Sequence, residues 1–227
     1  INTELGVDTL INIEDVIASN FNDTIFGDSQ NNKIYGAGGN DTINGGVGND
    51  SLYGGGGNGD FQLSAGTDFF DGGAGIDSFN FSGLTSPVTI NFSSNTLSYL
   101  NRNMRFINVE GLTLSPMSDR WTGGAAGEFI FAGAGDDVLD GMAGDDQIDG
   151  GMGNDSIRGG AGNDTIIAGL GNDTVDGGQG IDVFSLSSSS YGVNVNLYAN
   201  NDTISTSIGS KTIRSFEQFE ATAFQDN

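Results

Sequence analysis

Cysteine and histidine are absent from the 227 residues, proline occurs twice, and only seven lysines and arginines stand against thirty aspartates and glutamates. Without cysteine or histidine, the chain lacks disulfides, the usual zinc ligands, and the side chains on which thiol and histidine catalysis depend. A net charge of −23 makes nucleic acid and anionic membranes poor partners. No apolar run reaches the length of a transmembrane segment.

Glycine, by contrast, is abundant, with 39 residues, and much of it falls in a nine-residue repeat. From Ala132 to Ser185 the repeat runs as AGAGDDVLD, GMAGDDQID, GGMGNDSIR, GGAGNDTII, AGLGNDTVD and GGQGIDVFS. The same register extends back to Leu114, and a second tract covers residues 18–80, which makes fifteen units in two blocks. A period of nine fits neither an α-helix nor a simple alternating strand.

Two positions of the unit carry a fixed type of side chain. Position six is aspartate in twelve units, and the exceptions are Asn32, Gly59 and Glu128. Position eight is apolar in all fifteen units: Ile25, Ile34, Ile43, Leu52, Phe61, Phe70, Phe79, Trp121, Ile130, Leu139, Ile148, Ile157, Ile166, Val175 and Phe184. The repeat therefore predicts a buried apolar row and an acidic row.

The unit predicts an all-β fold, namely a parallel β-roll or β-solenoid. Residues seven to nine form a strand of about 10 Å whose middle side chain faces the core. The glycine-rich first six residues make the reversal, because a tight turn asks for positive φ and crowds its carbonyls. Two units complete one coil, and successive coils stack through local contacts. We expect the two blocks to be joined by wider β coils.

Stacking of the coils brings position-six carboxylates about 5 Å apart, the spacing of neighbouring strands. Unpaired carboxylates at that distance repel one another. Calcium relieves the repulsion, since it accepts about six to eight oxygens from carboxylates and turn carbonyls. Magnesium fits less well, because it requires octahedral geometry and keeps its water. The sequence therefore predicts several bound Ca²⁺ ions as the cofactor.

GGMGNDSIR, GGAGNDTII and GGVGNDSLY (45–53) resemble the RTX, or haemolysin-type, calcium-binding nonapeptide GGxGxDxUx, where U is a large apolar residue. The resemblance covers both blocks and implies a parallel β-roll with ions between stacked loops. It implies metal ligands at position six: Asp23, Asn32, Asp41, Asp50, Asp68, Asp77, Asp119, Asp137, Asp146, Asp155, Asp164, Asp173 and Asp182. It also implies carbonyl ligands at positions two and four: Gly46, Gly48, Gly133, Gly135, Gly144, Gly151, Gly153, Gly160, Gly162, Gly169, Gly171, Gly178 and Gly180.

The segments outside the blocks complete the organisation of the chain. Alternation in VTINF (88–92) and VNVNL (193–197) indicates strands. Similar strings around Glu14, Glu110 and Glu217 indicate a super-repeat, so we interpret the chain as part of a longer array. The predicted segments are a lead-in strand (1–17), the first block (18–80), a connecting β segment (81–113), the second block (114–185), and a connecting segment with the start of a third unit (186–227).

Some residues depart from the pattern or invite another interpretation. Gly59 removes a side-chain ligand, and Asp60 replaces it only if the loop bulges. Trp121 and other aromatic residues suggest a sugar-stacking surface, although a core position for Trp121 is favoured. The basic residues are too scattered for a patch, and we expect solvated charges: Lys33, Arg102, Arg105, Arg120, Arg158, Lys211 and Arg214.

No catalytic constellation stands out, and we expect no enzyme activity. We predict a calcium-binding module that folds on Ca²⁺ binding and has a structural or adhesive role. The resemblance implies a secreted or cell-surface bacterial protein exported by a type I system. The alternative is the non-catalytic calcium module of an exported protease, lipase or alginate epimerase, or a polysaccharide-binding module. Expected partners are neighbouring repeat units, further copies of the chain, or surface polysaccharide.

Overall fold

The computed structural model describes residues 13–186, 202–206 and 209–220, and every regular element in those ranges is a β-strand. None of the described elements is a helix that could cross a membrane. Residues 1–12 of the predicted lead-in strand, VNVNL (193–197) and the start of a third unit lie outside the described residues. The strands are β1 (Asp15–Ile17), β2 (Thr24–Phe26), β3 (Lys33–Tyr35), β4 (Thr42–Asn44), β5 (Ser51–Gly56), β6 (Asp60–Gln62), β7 (Phe69–Ala74), β8 (Ser78–Asn80), β9 (Val88–Asn91), β10 (Thr96–Tyr99), β11 (Arg102–Ile107), β12 (Gly111–Thr113), β13 (Arg120–Thr122), β14 (Phe129–Phe131), β15 (Val138–Asp140), β16 (Gln147–Asp149), β17 (Ser156–Ala161), β18 (Thr165–Ile167), β19 (Asp173–Gln179), β20 (Val183–Ser185), β21 (Asp202–Thr206), β22 (Gly209–Arg214) and β23 (Gln218–Glu220).

Fourteen of the fifteen nonapeptides begin a strand at position seven, and β19 begins one residue earlier, at Asp173. Alternation along the strand then turns the apolar eighth residue inward. In β15, Leu139 is buried between the half-buried Val138 and Asp140. The eighth side chain is buried in fourteen of the fifteen units, and Ile25 in the first unit is half-buried. The predicted apolar row is confirmed.

The described residues form two compact units. Unit 1 lies within Ile1–Phe81 and Asn95–Gly111, and unit 2 lies within Ser82–Ser94 and Leu112–Asn227. Each unit has two sheets, A and B, to which successive nonapeptides contribute alternately. In unit 1 the strand orders are β1-β3-β5-β7-β11-β10 for sheet A and β2-β4-β6-β8 for sheet B. In unit 2 they are β9-β13-β15-β17-β19-β22-β21 for sheet A and β12-β14-β16-β18-β20-β23 for sheet B.

Strands of the repeats pair in parallel with a constant offset of one coil. Leu139 pairs with Ile157, and Ile157 pairs with Val175. The same eighteen-residue step joins Ile34 to Leu52 in unit 1. Because identical positions of the nonapeptide face each other, every type of side chain forms its own column. The predicted parallel β-solenoid is confirmed.

Glycine is required where the turns stack. Gly151 and Gly153, at positions two and four, have φ of 81° and 142°, which L side chains rarely adopt. A Cβ on either residue would collide with the carbonyl oxygen of its counterpart one coil earlier, Gly133 or Gly135. The turns are therefore packed backbone against backbone.

Aromatic side chains fill much of the interior. In unit 1, the ring centroids of Phe61, Phe70 and Phe79 lie 4.9 to 6.0 Å apart. In unit 2, Trp121 is fully buried and meets Phe92 edge to face at 6.3 Å. Because its indole has no exposed face, the sugar-stacking interpretation of Trp121 is wrong, and the core position is confirmed.

The connecting segments contain a feature that the sequence analysis did not anticipate. β9 confirms the strand expected at VTINF, but β10 and β11 then form an antiparallel hairpin. Its turn residues, Leu100 and Asn101, have φ of 49° and 62°. β21 and β22 form a second antiparallel pair. Leu-Asn is not the glycine-containing dipeptide that normally predicts such a tight turn, so the sequence carried little sign of it.

Candidate metal centre

Position-six side chains stack in one row along each sheet of each unit, and the rows are named by unit and sheet. All of these residues are buried except Asp23, which is half-buried. Row 1A contains Asn32, Asp50 and Asp68, and row 1B contains Asp23, Asp41, Gly59 and Asp77. Row 2A contains Asp119, Asp137, Asp155 and Asp173, and row 2B contains Glu128, Asp146, Asp164 and Asp182.

One oxygen of most position-six carboxylates joins two coils. The backbone amide of Asp137 donates a 2.9 Å hydrogen bond to Asp155 Oδ1, and the Asp155 amide donates a 2.8 Å bond to Asp173 Oδ1. The same bond recurs in the other rows. Hydrogen bonds to an ionised acceptor are about twice as strong as neutral ones. The acids therefore contribute to coil stacking through the backbone as well as through any ion.

The second oxygen, Oδ2, is different. Removing a carboxylate oxygen from water without a donor to replace the water is unfavourable. Such an oxygen is a candidate ligand for a cation. Among the described residues, Oδ2 is buried with neither a hydrogen-bond nor an ion-pair partner in eight aspartates: Asp41, Asp50, Asp77, Asp137, Asp146, Asp155, Asp164 and Asp182. Asp173 Oδ2 also lacks a hydrogen-bond partner, but it forms an ion pair with Lys211.

Main-chain carbonyl oxygens face the same space as these Oδ2 atoms. A Cβ added to Gly141 would collide with both Asp146 Oδ2 and the carbonyl oxygen of Gly159, so the two oxygens converge on one point. A Cβ on Gly36 marks the same convergence for Asp41 Oδ2. The carbonyl in each case belongs to position one of the following coil. Position one is not among the ligand positions predicted from the sequence.

The thirteen glycines implied as carbonyl ligands all take positive φ. Position-two carbonyls accept hydrogen bonds from the next coil, as when the Met152 amide donates to the Gly133 oxygen at 2.7 Å. One position-four carbonyl, that of Gly171, accepts a 2.7 Å bond from Lys211 Nζ. A carbonyl oxygen has two lone pairs, so a position-two carbonyl with one backbone bond retains the capacity to ligate a cation.

The donor set fits calcium. Nowhere in the described ranges do three carboxylates converge on one point, so a cation here would complete its shell with main-chain oxygens. Calcium accepts carboxylate and carbonyl oxygens in flexible geometry, whereas zinc prefers nitrogen and sulfur ligands. The buried Oδ2 atoms and the adjacent carbonyls provide such a set.

Three units satisfy their carboxylate internally, because serine stands at position two. Ser115 donates its amide and its hydroxyl to Asp119 Oδ2, at 2.8 and 2.9 Å. Ser19 and Ser64 also donate to the Oδ2 of their own position-six aspartates. The predicted ligand set includes all three acids, although the serines stand in the sequence at a position otherwise rich in glycine.

Two nonapeptides of unit 1 lack a carboxylate at position six, where they carry Asn32 and Gly59. Asn32 Oδ1 accepts a 2.9 Å bond from an amide of its own loop. Gly59 offers only its backbone, and its amide donates to Asp77 Oδ1 at 2.6 Å. Asp60 lies in β6 and accepts a bond from the Ser78 hydroxyl at 3.3 Å. It is therefore directed along the sheet and does not replace the missing ligand.

Two glutamates continue the B rows beyond the nonapeptides. Glu110 Oε2 accepts a 3.0 Å bond from the Asp77 amide, and Glu217 Oε2 accepts a 2.9 Å bond from the Asp182 amide. Each glutamate, with its longer side chain, accepts the backbone bond that the position-six acid of a following coil would accept. Sequence analysis aligned the two glutamates in the super-repeat but assigned them no role, because they lie outside the nine-residue register.

Row 2A ends at a buried lysine. Lys211 of β22 pairs with Asp173 of β19, is 1% exposed, and places Nζ 2.5 Å from Asp173 Oδ2. The prediction of a solvated charge at Lys211 is wrong, because strand alternation turns its side chain inward. Arg214, three residues later, is exposed and pairs with Asp176 at 2.7 Å.

Position five carries a second ladder that the sequence analysis missed. The backbone amide of Asn154 donates to Asp136 Oδ1 at 2.7 Å, and the backbone amide of Asn172 donates to Asn154 Oδ1 at 3.0 Å. Equivalent bonds join the coils of unit 1. Position five is asparagine or aspartate in ten of the fifteen units, so the pattern was present in the sequence.

Burial raises the pKa values of many row acids. Loss of solvent raises the pKa of Asp137 and of Asp155 to about 7, although the amide bond each accepts opposes the shift. The same cause raises the pKa of Asp77 and of Asp164 to about 6. Protons therefore compete with cations for these oxygens near neutral pH.

A family model of the RTX calcium-binding nonapeptide repeat matches residues 17–52, 26–61, 48–79, 122–157 and 149–184. Together the matches cover more than half of the chain. The chain belongs to the RTX repeat family. RTX repeats bind calcium in general and occur in secreted bacterial proteins. A comparison of this RTX chain with curated proteins found no match.

Proposed function

We propose that these RTX repeats form a calcium-stiffened module that completes its fold when Ca²⁺ binds between stacked loops. The observation that carries the proposal is the set of eight buried Oδ2 atoms that have neither a hydrogen-bond nor an ion-pair partner among the described residues. Calcium supplies the positive charge that these atoms lack and reduces repulsion along each row. With a net charge of −23, the chain without ions favours expanded states.

The proposed ligands are the position-six carboxylates and the carbonyls of positions one, two and four. The convergence of Asp146 Oδ2 with the Gly159 oxygen supports position one. The cationic Nζ of Lys211, which contacts both Asp173 Oδ2 and the Gly171 oxygen, supports position four. We propose weaker sites in the loops where a position-two serine already satisfies the acid.

The proposed role is structural or adhesive, in a secreted or cell-surface bacterial protein. Affinities of about 10⁻⁴ to 10⁻³ M would match extracellular calcium, so the module would remain extended during export and become rigid outside the cell. The super-repeat supports an array of similar units more than a single appendage of an exported enzyme. The sequences flanking this chain distinguish the two: more super-repeats support the array, and a catalytic domain supports the appendage.

A calcium titration followed by circular dichroism tests the calcium-dependent fold. The chain is prepared in chelator and titrated with Ca²⁺, with Mg²⁺ at equal ionic strength as the control. We expect β-structure to appear cooperatively with Ca²⁺ and only weakly with Mg²⁺. A chain that has its full β-structure in chelator would contradict the proposal.

A polysaccharide-binding role is the second candidate, and one surface favours it. Tyr35 and Tyr53 stack at 4.7 Å in sheet A of unit 1, with Phe69 6.0 Å from Tyr53 and Lys33 Nζ 5.1 Å from the Tyr35 ring. Both tyrosines are half-exposed, and a tyrosine suits a partly polar ligand because it joins an apolar ring to a hydroxyl group. Glycan-array binding that is lost in Tyr35→Ala and Tyr53→Ala, and retained in Phe131→Ala, would support this role.

A further inference from the structure

We propose that Lys211 is a built-in cation that takes the place of a calcium ion at the end of row 2A. This inference rests on the proposed calcium-binding function, since it concerns how one row of sites ends. The last rung, formed by Asp173 and the Gly171 carbonyl, is thereby closed without metal.

The geometry of the lysine is that of a ligand-bound cation. Its Nζ lies 2.5 Å from Asp173 Oδ2 and 2.7 Å from the Gly171 carbonyl oxygen. These are one position-six carboxylate and one position-four carbonyl of the same RTX unit. Both the lysine side chain and the aspartate side chain are almost entirely removed from solvent. A buried ammonium is tolerated only when oxygens of this kind surround it.

The strand that carries Lys211 explains why its side chain reaches this place. In β22, Lys211 and Ile213 are buried while Thr212 and Arg214 are exposed. Ile213 pairs with Val175, a position-eight residue, and Lys211 pairs with Asp173. Lys211 therefore stands in the column of position six, where a further acid would continue the row. A basic side chain in that column brings its own charge to the aspartate beneath it.

At the corresponding end of row 1A, an uncharged residue stands in the place of the lysine. Met104 stands one residue before Arg105, which pairs with Phe69, so Met104 occupies the column of Asp68 as Lys211 occupies that of Asp173. Met104 is buried and brings no charge. The Oδ2 of Asp68 is instead satisfied by the Ser64 hydroxyl at 3.2 Å. The unit of Asp173 has Gly169 at position two, where the unit of Asp68 has Ser64. The Lys211 ammonium contacts Asp173 Oδ2 in place of a serine hydroxyl.

Row 2B provides the contrast within unit 2. It ends at Glu217, which adds a carboxylate, and Asp182 Oδ2 has no hydrogen-bond partner among the described residues. Row 2B thus continues to require a cation where it ends, while row 2A carries its own. We infer that the contact between β19 and β22 depends on calcium less than the contact between β20 and β23, where row 2B ends.

Amine labelling of the wild-type protein tests the ion pair without a variant. The chain has two lysines, and Lys33 is the internal control because it is half-exposed. In saturating Ca²⁺, an acylating reagent should modify Lys33 at least about tenfold faster than Lys211, because a buried, paired amine is shielded from the reagent. Equal labelling rates at the two lysines would overturn the proposal.

Ion counting tests the substitution itself. Native mass spectrometry gives the number of Ca²⁺ ions bound at saturation by wild type, Lys211→Ala, Lys33→Ala and the double variant Lys211→Ala with Asp173→Ala. We expect Lys211→Ala to bind one ion more than wild type, and the other two variants to match wild type. An unchanged count in a folded Lys211→Ala would refute the proposal. If the wild-type chain bound no calcium, the proposed function would be refuted instead. The labelling experiment would still test whether Lys211 is buried in an ion pair.

Discussion

The backbone amide of Asp137 donates a 2.9 Å hydrogen bond to Oδ1 of Asp155, one coil further along the solenoid. The acid therefore has two tasks that belong to different atoms. Oδ1 holds the preceding coil through its main chain, and Oδ2 is left buried without a hydrogen-bond partner in the described structure. An amide in place of the carboxylate would retain an acceptor for the first task and lose the charge needed for the second.

Asp155→Asn separates these two tasks. We expect the variant to keep its coil contacts but to need about tenfold more calcium to fold, the change that corresponds to about 1.4 kcal/mol. Asp60→Asn is the matched control, since Asp60 is also an aspartate but lies on the sheet beside Ser78. The calcium midpoint is measured by circular dichroism. Equal midpoints for the two variants would show that the register of the ligands is wrong.

Stability should depend on pH with opposite sign in the two calcium states. Burial raises the pKa of Asp137 and of Asp155 to about 7 from 3.8 in the folded chain without metal. Folding without calcium is then favoured by protonation, so its free energy of unfolding should fall as the pH rises from about 4 through about 7. With calcium present, protons compete with the ion for the carboxylates. The calcium concentration at the folding midpoint should therefore decrease as the pH rises over the same range.

Circular dichroism in chelator between about pH 4 and pH 8 measures the first trend as the β-structure gained on acidification, and calcium titrations at the same pH values measure the second. A β-structure content in chelator that increases with pH would contradict the raised pKa values. If the calcium midpoint did not change with pH, the row acids would not be the ligands.

Ser115→Ala should reduce stability even in saturating calcium. The Ser115 hydroxyl lies 2.9 Å from Asp119 Oδ2, and its loss leaves that buried oxygen with one donor fewer. We expect a loss of about 1 kcal/mol in the free energy of unfolding. Ser156→Ala, at an exposed position of β17, is the control and should change it little. A loss equal to that of the control would mean that the hydroxyl contributes nothing.

Gly153→Ala should disrupt the stacked turns. Gly153 has φ of 142°, and an added Cβ would collide with the Gly135 carbonyl oxygen. We expect destabilisation of at least about 2 kcal/mol from backbone strain and the collision, measured by chemical denaturation in calcium. Gly83→Ala is the control, because an added Cβ there meets no described atom within 4 Å. Similar losses in both variants would contradict the requirement for glycine in the turn.

The solenoid could be read from the sequence because its contacts are local and repeated. A nine-residue period with an apolar eighth residue leads directly to three-residue strands and to pairing such as Leu139 with Ile157. The hairpin of β10 and β11 could not be read in the same way. It lies outside the nine-residue repeat, and its turn residues, Leu100 and Asn101, include no glycine.

Repetition in the sequence by itself determined the strand positions, the buried apolar column, the acid rows and the family. Only the tertiary structure decided which acids have a free oxygen. Asp119 and Asp137 look alike in the sequence, yet Ser115 satisfies the first, while the second has an Oδ2 without a hydrogen-bond partner in the described structure. Lys211 likewise gains its role from β22, which brings it over Asp173 from 38 residues away. A repeat specifies what each unit contributes, but the balance of charge at a buried oxygen depends on neighbours that only folding supplies.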